Sequence, residues 1–145
     1  MSQPRVILIT GASSGIGAAT ARLFASEGFQ IVLAARRQEK LHALADEIQE
    51  IGGESLVIPT DISQLDQIEN LVSKSLDHFG QVDILLNNAG LGRLAWLDKL
   101  DPQKDIEFQI QVNLTGLIQT TRAILPHMIE RGYGKVINMS SIFGL

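Results

Sequence analysis

Eight residues near the start of the chain, Thr10–Gly17 (TGASSGIG), have the composition and spacing of a turn that binds phosphate groups. Glycine adopts backbone angles closed to other residues, and its lack of a side chain lets an anion approach the main chain. The turn follows an apolar run and leads into Ile16, Ala19 and Leu23, an apolar stripe at helical spacing. This pattern predicts the strand, turn and helix that open a dinucleotide-binding unit, with an ordinary tight turn as the alternative.

Apolar runs alternate with helical patterns along the rest of the chain, which predicts parallel strands connected by helices. All five predicted strands are almost continuously apolar, as expected when helices cover both faces of a sheet. We therefore expect a single α/β domain over residues 1–145, with a doubly wound parallel sheet of the Rossmann type. The predicted strands are Val6–Ile9, Gln30–Ala35, Leu56–Ile58, Val82–Leu86 and Val136–Met139.

Capping residues indicate where some of the helices begin. Ser63, with Asp66 three residues later, predicts the start of the third helix. Asp101 followed by Pro102 predicts the start of a long helix, and residues 91–101 before it, which have no clear period, are expected to form a loop. The predicted apolar face of the long helix consists of Ile106, Ile110, Leu114, Leu117, Ile118, Thr121, Leu125 and Met128.

The composition is that of a globular protein and argues against several classes of function. Apolar residues make up 45% of the 145 residues and charged residues 19%. A net charge of −4 without basic runs argues against nucleic-acid binding, and the absence of cysteine excludes disulfides and thiolate metal sites. No apolar run reaches the roughly 20 residues of a membrane span, and no signal peptide precedes the first strand. We expect a cytoplasmic protein that binds no metal.

Four separated segments resemble motifs of the short-chain dehydrogenase/reductase family, in that family's order and spacing. Thr10–Gly17 matches TGxxxGxG, and Asn87–Gly90 matches NNAG. Asn113–Gly116 (NLTG) and Lys135–Gly144 (KVINMSSIFG) match the segments that carry the family's catalytic asparagine and serine. The resemblance covers the whole chain. It implies an oxidoreductase that transfers a hydride between a nicotinamide cofactor and a carbonyl or secondary alcohol.

The same resemblance implies a set of cofactor contacts. The three glycines of the first turn would line the pyrophosphate, with Ile16 packed near it. Asp61 would hydrogen-bond the adenine, and Asn87 and Ala89 would flank the adenosine ribose. The full set of expected contacts is Gly11, Ser13, Ser14, Gly15, Ile16, Gly17, Arg36, Arg37, Asp61, Ile62, Asn87, Asn88, Ala89 and Gly90.

Two catalytic residues are implied in the same way. Asn113 would hold a water molecule in a proton relay, and Ser141 would hydrogen-bond the oxygen atom of the substrate. Structural interpretations of these positions stay open. Asn113 could be a polar interruption of an amphipathic helix, and Ser140 and Ser141 could simply end a strand. Asp61, among the cofactor contacts, could instead cap a helix.

The charge at the end of the second predicted strand bears on the choice of cofactor. Enzymes that use NAD tend to place a carboxylate there, which binds the ribose 2′-hydroxyl. Ala35 stands at that position here, and Arg36 and Arg37 follow it. A guanidinium group can bind a 2′-phosphate through charge-assisted hydrogen bonds. We therefore expect NADP(H) rather than NAD, with Arg36 as the principal contact and Arg37 as a weaker one. Two solvated arginines at a helix start are the alternative.

The acid/base pair of the family, a tyrosine followed by a lysine four residues later, is not found in these residues. Tyr133 is the single tyrosine, it precedes the fifth strand, and Ile137 stands four residues after it. We therefore expect the sequence to be the N-terminal part of a longer chain, without its C-terminal strands and helices. Residues 1–145 alone are then expected to be inactive by the family mechanism, because that mechanism needs the tyrosine.

The expected partners follow from the same resemblance. The full-length protein would be a homodimer or homotetramer acting on a small carbonyl or alcohol substrate, with no nucleic-acid or membrane partner. A non-catalytic NADP-binding module or sensor is the second hypothesis. Trp96 and Arg93, in the predicted loop, could contact a substrate, although packing on the protein surface is the favoured interpretation.

Overall fold

A parallel sheet of five strands forms the centre of the computed structural model, which describes residues 3–141. The strand order is β3-β2-β1-β4-β5, and every neighbouring pair is parallel. This confirms the predicted Rossmann-type sheet, whose order reverses between β1 and β4. The strands are β1 (Val6–Thr10), β2 (Gln30–Ala35), β3 (Glu54–Pro59), β4 (Ile84–Asn87) and β5 (Lys135–Asn138).

The central strands are buried because helices cover both faces of the sheet. Alternate residues such as Ile7 and Ile9 pack with α1 (Gly15–Ser26) and α2 (Gln38–Glu50) on one face. The intervening residues pack on the other face with α3 (Leu65–Phe79) and with a long helix described below. β5 lies at the edge of the sheet, and all four of its residues are exposed.

The buried face of α1 is not the one that the sequence pattern predicts. Ile16 and Leu23 are 60% and 59% exposed, and Ala19 is exposed as well. Small side chains on the opposite face let the helix pack closely against the sheet and the first turn. The face of α1 that is buried is therefore the one with the smallest side chains, and not the one with the largest apolar side chains. The buried residues of α1 are Gly17, Ala18, Ala21 and Ala25.

A continuous helical run over residues 102–131, which we call the long helix, connects β4 to β5. Asp101 caps it as predicted, because its Oδ1 accepts hydrogen bonds from the N–H groups of Gln103 (2.9 Å) and Lys104 (2.8 Å). Gly132, with φ of +66°, ends it. Its four successive segments are Pro102–Glu107 (π), Phe108–Ile110 (α), Gln111–Gly116 (π) and Leu117–Arg131 (α).

The long helix has two apolar faces, where the sequence pattern predicted one. Val112, Ile124 and Met128 are buried against the sheet and α3. Half of the eight residues of the predicted face are exposed instead, and only Met128 is buried. The hydrophobic period alone cannot tell which of two apolar faces meets the core. We call the exposed residues the outer stripe: Ile110, Leu114, Ile118, Leu125 and Ile129.

Two further predictions near the site are wrong in detail. Ser63 does not cap α3, since the residue at the cap is Gln64 and no side chain bonds there. The N–H group of Ser63 donates instead to Oδ1 of Asp61 at 2.9 Å. Residues 91–101 form the expected loop, but Trp96 is 82% exposed and does not pack on the surface.

A buried carboxylate joins four elements at the amino ends of the strands. Asp83 is 2% exposed, and its Oδ2 accepts from the N–H group of Val6 at 2.7 Å. Its Oδ1 accepts from Nη1 of Arg131, at the end of the long helix, at 2.9 Å. Its carbonyl oxygen accepts from the N–H group of Lys135 at the start of β5. This network lies at the end of the sheet opposite to the site described next.

A second arginine–carboxylate pair lies on the surface. Nε of Arg22 in α1 donates to Oε2 of Glu47 in α2 at 2.6 Å, and both side chains are about half exposed. This hydrogen bond, with the guanidinium charge, lowers the pKa of the Glu47 carboxyl from its ordinary value.

In the part of the chain that the structure describes, no helix is long and apolar enough to cross a membrane.

Candidate functional site

A cleft of about 280 Å³ lies at the carboxyl ends of the strands, where the turns after β1 and β4 meet. In open α/β sheets, ligands bind at this reversal of strand order. Most residues predicted to contact a cofactor line the cleft; the exceptions are Gly15, Ile16, Gly17 and Asn87. The lining residues are Gly11, Ser13, Ser14, Ala34, Ala35, Arg36, Arg37, Thr60, Asp61, Ile62, Asn88, Ala89, Gly90, Leu91 and Val112.

Hydrogen bonds to one buried hydroxyl hold the two turns together. Oγ1 of Thr10, which is 1% exposed, accepts from the N–H groups of Asn88 and Ala89, both at 3.1 Å. The side-chain amide of Asn88 donates in return to the carbonyl oxygens of Thr10 (3.1 Å) and Gly11 (3.2 Å). Asn88 and Thr10 therefore fix the walls of the cleft relative to each other. The contribution of Thr10 was not predicted from the sequence, because a threonine at the end of a strand gives no signal of such a role.

Two glycines let the turns come this close. A Cβ atom at Gly11 would lie 2.7 Å from Cα of Ala89, and the φ of Gly11 is +68°. A Cβ atom at Gly17 would lie 2.5 Å from the carbonyl oxygen of Gly11 and 2.6 Å from Nδ2 of Asn88. Real Cβ atoms essentially never approach another atom to less than 3.0 Å. Gly17 thus supports the turn from behind and does not line the cleft.

The amino terminus of α1 is open to an anion. Gly15 begins the helix with φ of +55°, and a Cβ atom there would meet nothing within 4 Å. Ser14 is the capping residue, but its side chain makes no capping hydrogen bond, and the first turn contains no acidic residue. The first N–H groups and the positive end of the helix dipole are therefore unneutralised, and a phosphate group fits there.

Arg36 and Arg37 differ in what their side chains contact. Nη2 of Arg37 donates to the hydroxyl oxygens of Ser13 (2.9 Å) and Ser14 (2.6 Å), so the guanidinium lies against the glycine turn. Arg36 is exposed and also lines the cleft, and no hydrogen bond joins its side chain to another residue within 3–141. Two positive charges thus border the end of the cleft next to β2. The last residue of β2 there, Ala35, is uncharged.

The far side of the cleft, after β3, is shaped by Asp61 and Ile62. The N–H group of Asp61 donates to Oε1 of Gln67 at 2.8 Å, and its carboxylate accepts from Ser63. Ile62 lies against the long helix, because a Cβ atom at Gly116 would be 2.5 Å from the carbonyl oxygen of Ile62. This close contact places Ile62 and the second π segment of the long helix side by side at the cleft.

Asn87 and Ile16 lie outside the cleft. Nδ2 of Asn87 donates to Oγ1 of Thr121 and to Oδ1 of Asn138, both at 2.9 Å. Asn87 therefore ties β4 to β5 and to the long helix, and it is not among the residues that line the cleft. The side chain of Ile16 is exposed to solvent on α1.

Asn113 contacts the backbone of the loop that leaves β4. Its Oδ1 accepts from the N–H group of Leu91 at 2.9 Å, and its Nδ2 donates to the carbonyl oxygen of Leu91 at 2.7 Å. Both polar atoms of the side chain are used in this pair. Asn113 lies in the second π segment of the long helix, a conformation frequent at functional sites.

Ser141 follows β5 at the same edge of the sheet. The N–H group of Met139 donates to the carbonyl oxygen of Asn87 at 2.9 Å, so the chain leaving β5 runs beside the end of β4. Ser140 and Ser141 are exposed. The remainder of the motif that they belong to, residues 142–144, lies outside the described residues.

A family model described as short chain dehydrogenase matches residues 5–145. The chain belongs to the short chain dehydrogenase family. This confirms the resemblance found in the sequence motifs. Among curated relatives, this short chain dehydrogenase is 37% identical over 141 residues to the 3-oxoacyl-acyl-carrier-protein reductase FabG of Thermotoga maritima. That alignment covers 97% of this chain and 57% of the relative.

Solved structures of the family are also similar. One is a metagenomic short-chain oxidoreductase in complex with NADP, 39% identical with a TM-score of 0.92, covering 99% of this chain and 66% of that one. Another is an alcohol dehydrogenase of the archaeon Thermococcus sibiricus complexed with 5-hydroxy-NADP, 37% identical with a TM-score of 0.89, covering 94% and 58%. The chain spans about half the length of the curated relatives it matches.

For this short chain dehydrogenase, replacing Asn113 by Ala is expected to release the start of the β4 loop. The N–H and carbonyl groups of Leu91 would lose both partners and become open to solvent. We expect the Leu91 amide to exchange its hydrogen about 10- to 100-fold faster, equivalent to about 1–3 kcal/mol, measured by NMR or mass spectrometry. Replacing the neighbouring exposed Leu114 by Ala is the control, and unchanged protection of Leu91 in the Asn113 variant would contradict the assignment.

Proposed function

We propose that the protein is an NADP-dependent oxidoreductase that transfers a hydride between the nicotinamide and a carbonyl or secondary alcohol. The observation that carries this proposal is the cleft, which combines an open helix terminus with two arginines at its β2 end. Family membership supports the oxidoreductase class. The NADP and 5-hydroxy-NADP complexes of two similar structures support the choice of cofactor.

The residues of the cleft fit the parts of NADP in order. Gly11, Ser13 and the first N–H groups of α1 would bind the pyrophosphate. Asp61 and Ile62, beyond β3, would hold the adenine, so the adenosine lies on the β2–β3 side. The nicotinamide would then lie on the β4–β5 side, beside Asn88–Gly90. Bound there, NADPH supplies a hydride for a carbonyl carbon.

Arg36 and Arg37 would hold the 2′-phosphate. Among the described residues, Arg36 has no hydrogen-bond partner to give up, so we propose it as the principal contact. Arg37 would retain or exchange its hydrogen bonds with Ser13 and Ser14 when the phosphate arrives. The phosphate would also neutralise two like charges at the start of α2, where they oppose the helix dipole.

On the β4–β5 side, Ser141 would donate its hydroxyl hydrogen to the substrate oxygen. Asn113 would position the loop that borders the nicotinamide, through its hydrogen bonds with Leu91. A general acid is needed to protonate the oxygen as the hydride reaches carbon. Tyr133 cannot be that acid, since it precedes β5 at the opposite end of the strand from Ser141. We therefore propose that residues 1–145 bind NADPH without reducing carbonyls.

Two measurements test this function. NADPH is titrated into the 145-residue chain, with NADPH fluorescence as the signal, and its oxidation by added ketones is followed by absorbance. Saturable binding without oxidation is the expected result. Absence of binding would contradict the proposal. The same measurements apply to a longer polypeptide that contains these residues. Binding of NADPH without its oxidation in the presence of ketones would there favour the second hypothesis, a non-catalytic NADP-binding module or sensor.

Replacing Arg36 by Ala is expected to reduce the preference for NADPH over NADH. Loss of a charge-assisted contact with the 2′-phosphate should weaken NADPH binding about 10-fold and leave NADH within about twofold. The paired titrations are repeated for Arg37→Ala, for which a smaller loss is expected, and for Arg22→Ala as a distant control. Equal losses for both cofactors would show that Arg36 does not contact the 2′-phosphate.

We also propose that the protein forms a homodimer or homotetramer through the outer stripe. Five large apolar side chains on one exposed helix face are unusual for a surface that stays in water. Their spacing matches a helix that packs against another helix.

The proposed location of the protein is the cytoplasm, as expected for a chain without cysteine.

A further inference from the structure

The loop that leaves β4 exposes three large apolar side chains. We call residues 91–101 the tryptophan loop. Leu94 is 101% exposed, Trp96 82% and Leu97 76%. Single exposed apolar residues are ordinary, but three within four positions on one loop form a patch that water solvates poorly. Such a patch implies a contact that the described part of the chain does not make.

Specific hydrogen bonds hold this loop in place. Asn113 binds Leu91 at its start, as described above. Nη1 of Arg93 donates to Oδ1 of Asp105 at 2.6 Å, and the Asp105 side chain is only 6% exposed. Oδ2 of the same carboxylate accepts from the N–H group of Asp101 at 2.9 Å, at the end of the loop. Both ends of the loop are therefore fixed by hydrogen bonds. This order reduces the conformational entropy that the loop would lose on binding a ligand.

The tryptophan loop begins inside the cleft. Leu91 lines the cleft, and the loop continues from the turn Asn88–Gly90 on the β4 side. The chain carrying Ser141 leaves the neighbouring strand β5 at the same edge of the sheet. A substrate whose reacting carbon meets the nicotinamide on this side would have these two segments beside it.

Each charged side chain of residues 91–100 is paired with an opposite charge. Arg93 is paired with Asp105, and Nζ of Lys99 lies 2.9 Å from Oδ2 of Asp98. Residues 91–100 contain no other charged side chain. The loop therefore offers no unpaired cation for a carboxylate or phosphate on the substrate, and its tip suits an uncharged apolar group.

We propose that Leu94, Trp96 and Leu97 bind an uncharged, apolar arm of the substrate. The substrate class is then a carbonyl compound or alcohol with an alkyl or aryl arm of several carbons, without a charged end. This inference rests on the proposed function for the position of the reacting carbon. It adds the chemistry of the remainder of the substrate and a specificity-determining role for the tryptophan loop.

Trp96 is the single tryptophan of the chain, so its fluorescence reports on the loop directly. The protein saturated with NADP⁺ is titrated with 2-octanone, with acetone, and with 7-oxooctanoate, which has the same length and methyl ketone but ends in a carboxylate. We expect a saturable blue shift with 2-octanone. Acetone and 7-oxooctanoate should bind at least about 10-fold more weakly, since neither has a long uncharged arm.

A variant pair separates the loop from other surfaces. Leu97→Ala keeps the reporter and removes apolar atoms from the tip, so it should weaken 2-octanone binding about fivefold. Leu23→Ala makes the same change at an exposed position of α1 and should leave binding within about twofold. Equal effects of the two variants would overturn the proposal.

The remaining outcomes are also decisive. An emission spectrum that none of the ketones changes, or equal shifts with 2-octanone and 7-oxooctanoate, overturns the proposal. A blue shift that grows with protein concentration in the absence of ketone overturns it too, and identifies a second copy of the chain as the occupant. Equilibrium dialysis of NADP⁺ is independent of Trp96. A failure of the proposed function therefore shows as lost NADP⁺ binding, separately from these signals.

Discussion

Replacing Gly17 by Ala is expected to weaken NADPH binding about 100-fold, equivalent to about 2.7 kcal/mol. The added Cβ atom would meet the carbonyl oxygen of Gly11 and the amide of Asn88, and both belong to the walls of the cleft. One of the two turns must shift, which misplaces the N–H groups expected to bind phosphate. One hydrogen bond to a charged group is worth about 1.5–3 kcal/mol, so the loss of a single contact with the phosphate accounts for this effect. The affinity is measured by titration with NADPH.

The same variant tests packing against helix propensity. Alanine in a helix is favoured over glycine by about 1 kcal/mol, so propensity alone predicts a more stable protein. Overpacking costs about 1–3 kcal/mol, and we expect it to dominate, with a lower free energy of unfolding in urea. Gly92→Ala is the control, because a Cβ atom there would meet nothing within 4 Å. Native affinity and raised stability in Gly17→Ala would show that the turns can yield.

Replacing Asp83 by Ala is expected to lower the free energy of unfolding by about 3 kcal/mol. The variant leaves the guanidinium of Arg131 and the buried N–H group of Val6 without their shared acceptor. Removing one partner of a buried ion pair costs about 3–5 kcal/mol, and the 31% exposure of the Arg131 side chain places the cost at the lower end. Urea denaturation followed by circular dichroism gives the value.

The surface pair provides a matched comparison. Glu47→Ala also removes a carboxylate from an arginine, and the hydrogen bond lost is the shorter one, 2.6 Å against 2.9 Å. Because both side chains of this pair are about half exposed, we expect a much smaller loss of stability than in Asp83→Ala. Burial, and not the length of the bond, would then decide the contribution to stability. Equal losses in Glu47→Ala and Asp83→Ala would contradict this reasoning.

The pattern of the sequence predicted the sheet well because the centre of each strand is a run of apolar residues. Gln30–Ala35 was predicted with the bounds that the structure has. Helix faces were harder. On α1 the apolar stripe through Ile16 is exposed, and alanines are buried, since tight packing there needs small side chains. A hydrophobic pattern measures the size and polarity of residues but not the space available to them.

The site could be predicted as a set of residues but not as a set of contacts. The TGxxxGxG and NNAG motifs supply six of the fifteen residues that line the cleft, because turns at the ends of adjacent parallel strands must meet. Sequence spacing could not show that Asn88 binds Thr10 across 78 positions, or that Asn87 faces away toward Thr121. Such contacts depend on the register and rotation of strands that are distant in the chain.

The place of β1 between β2 and β4 has a consequence for synthesis on the ribosome. The hydrogen bond between Val6 and Asp83 can form only after 77 further residues have been synthesised, whereas β2 follows β1 closely. At about 5–20 residues per second, this interval lasts about 4–15 s. During it, one side of an apolar strand is open to other nascent polypeptides. We expect the yield of folded protein to depend on translation speed through residues 36–83 and on chaperones that shield β1 until β4 emerges.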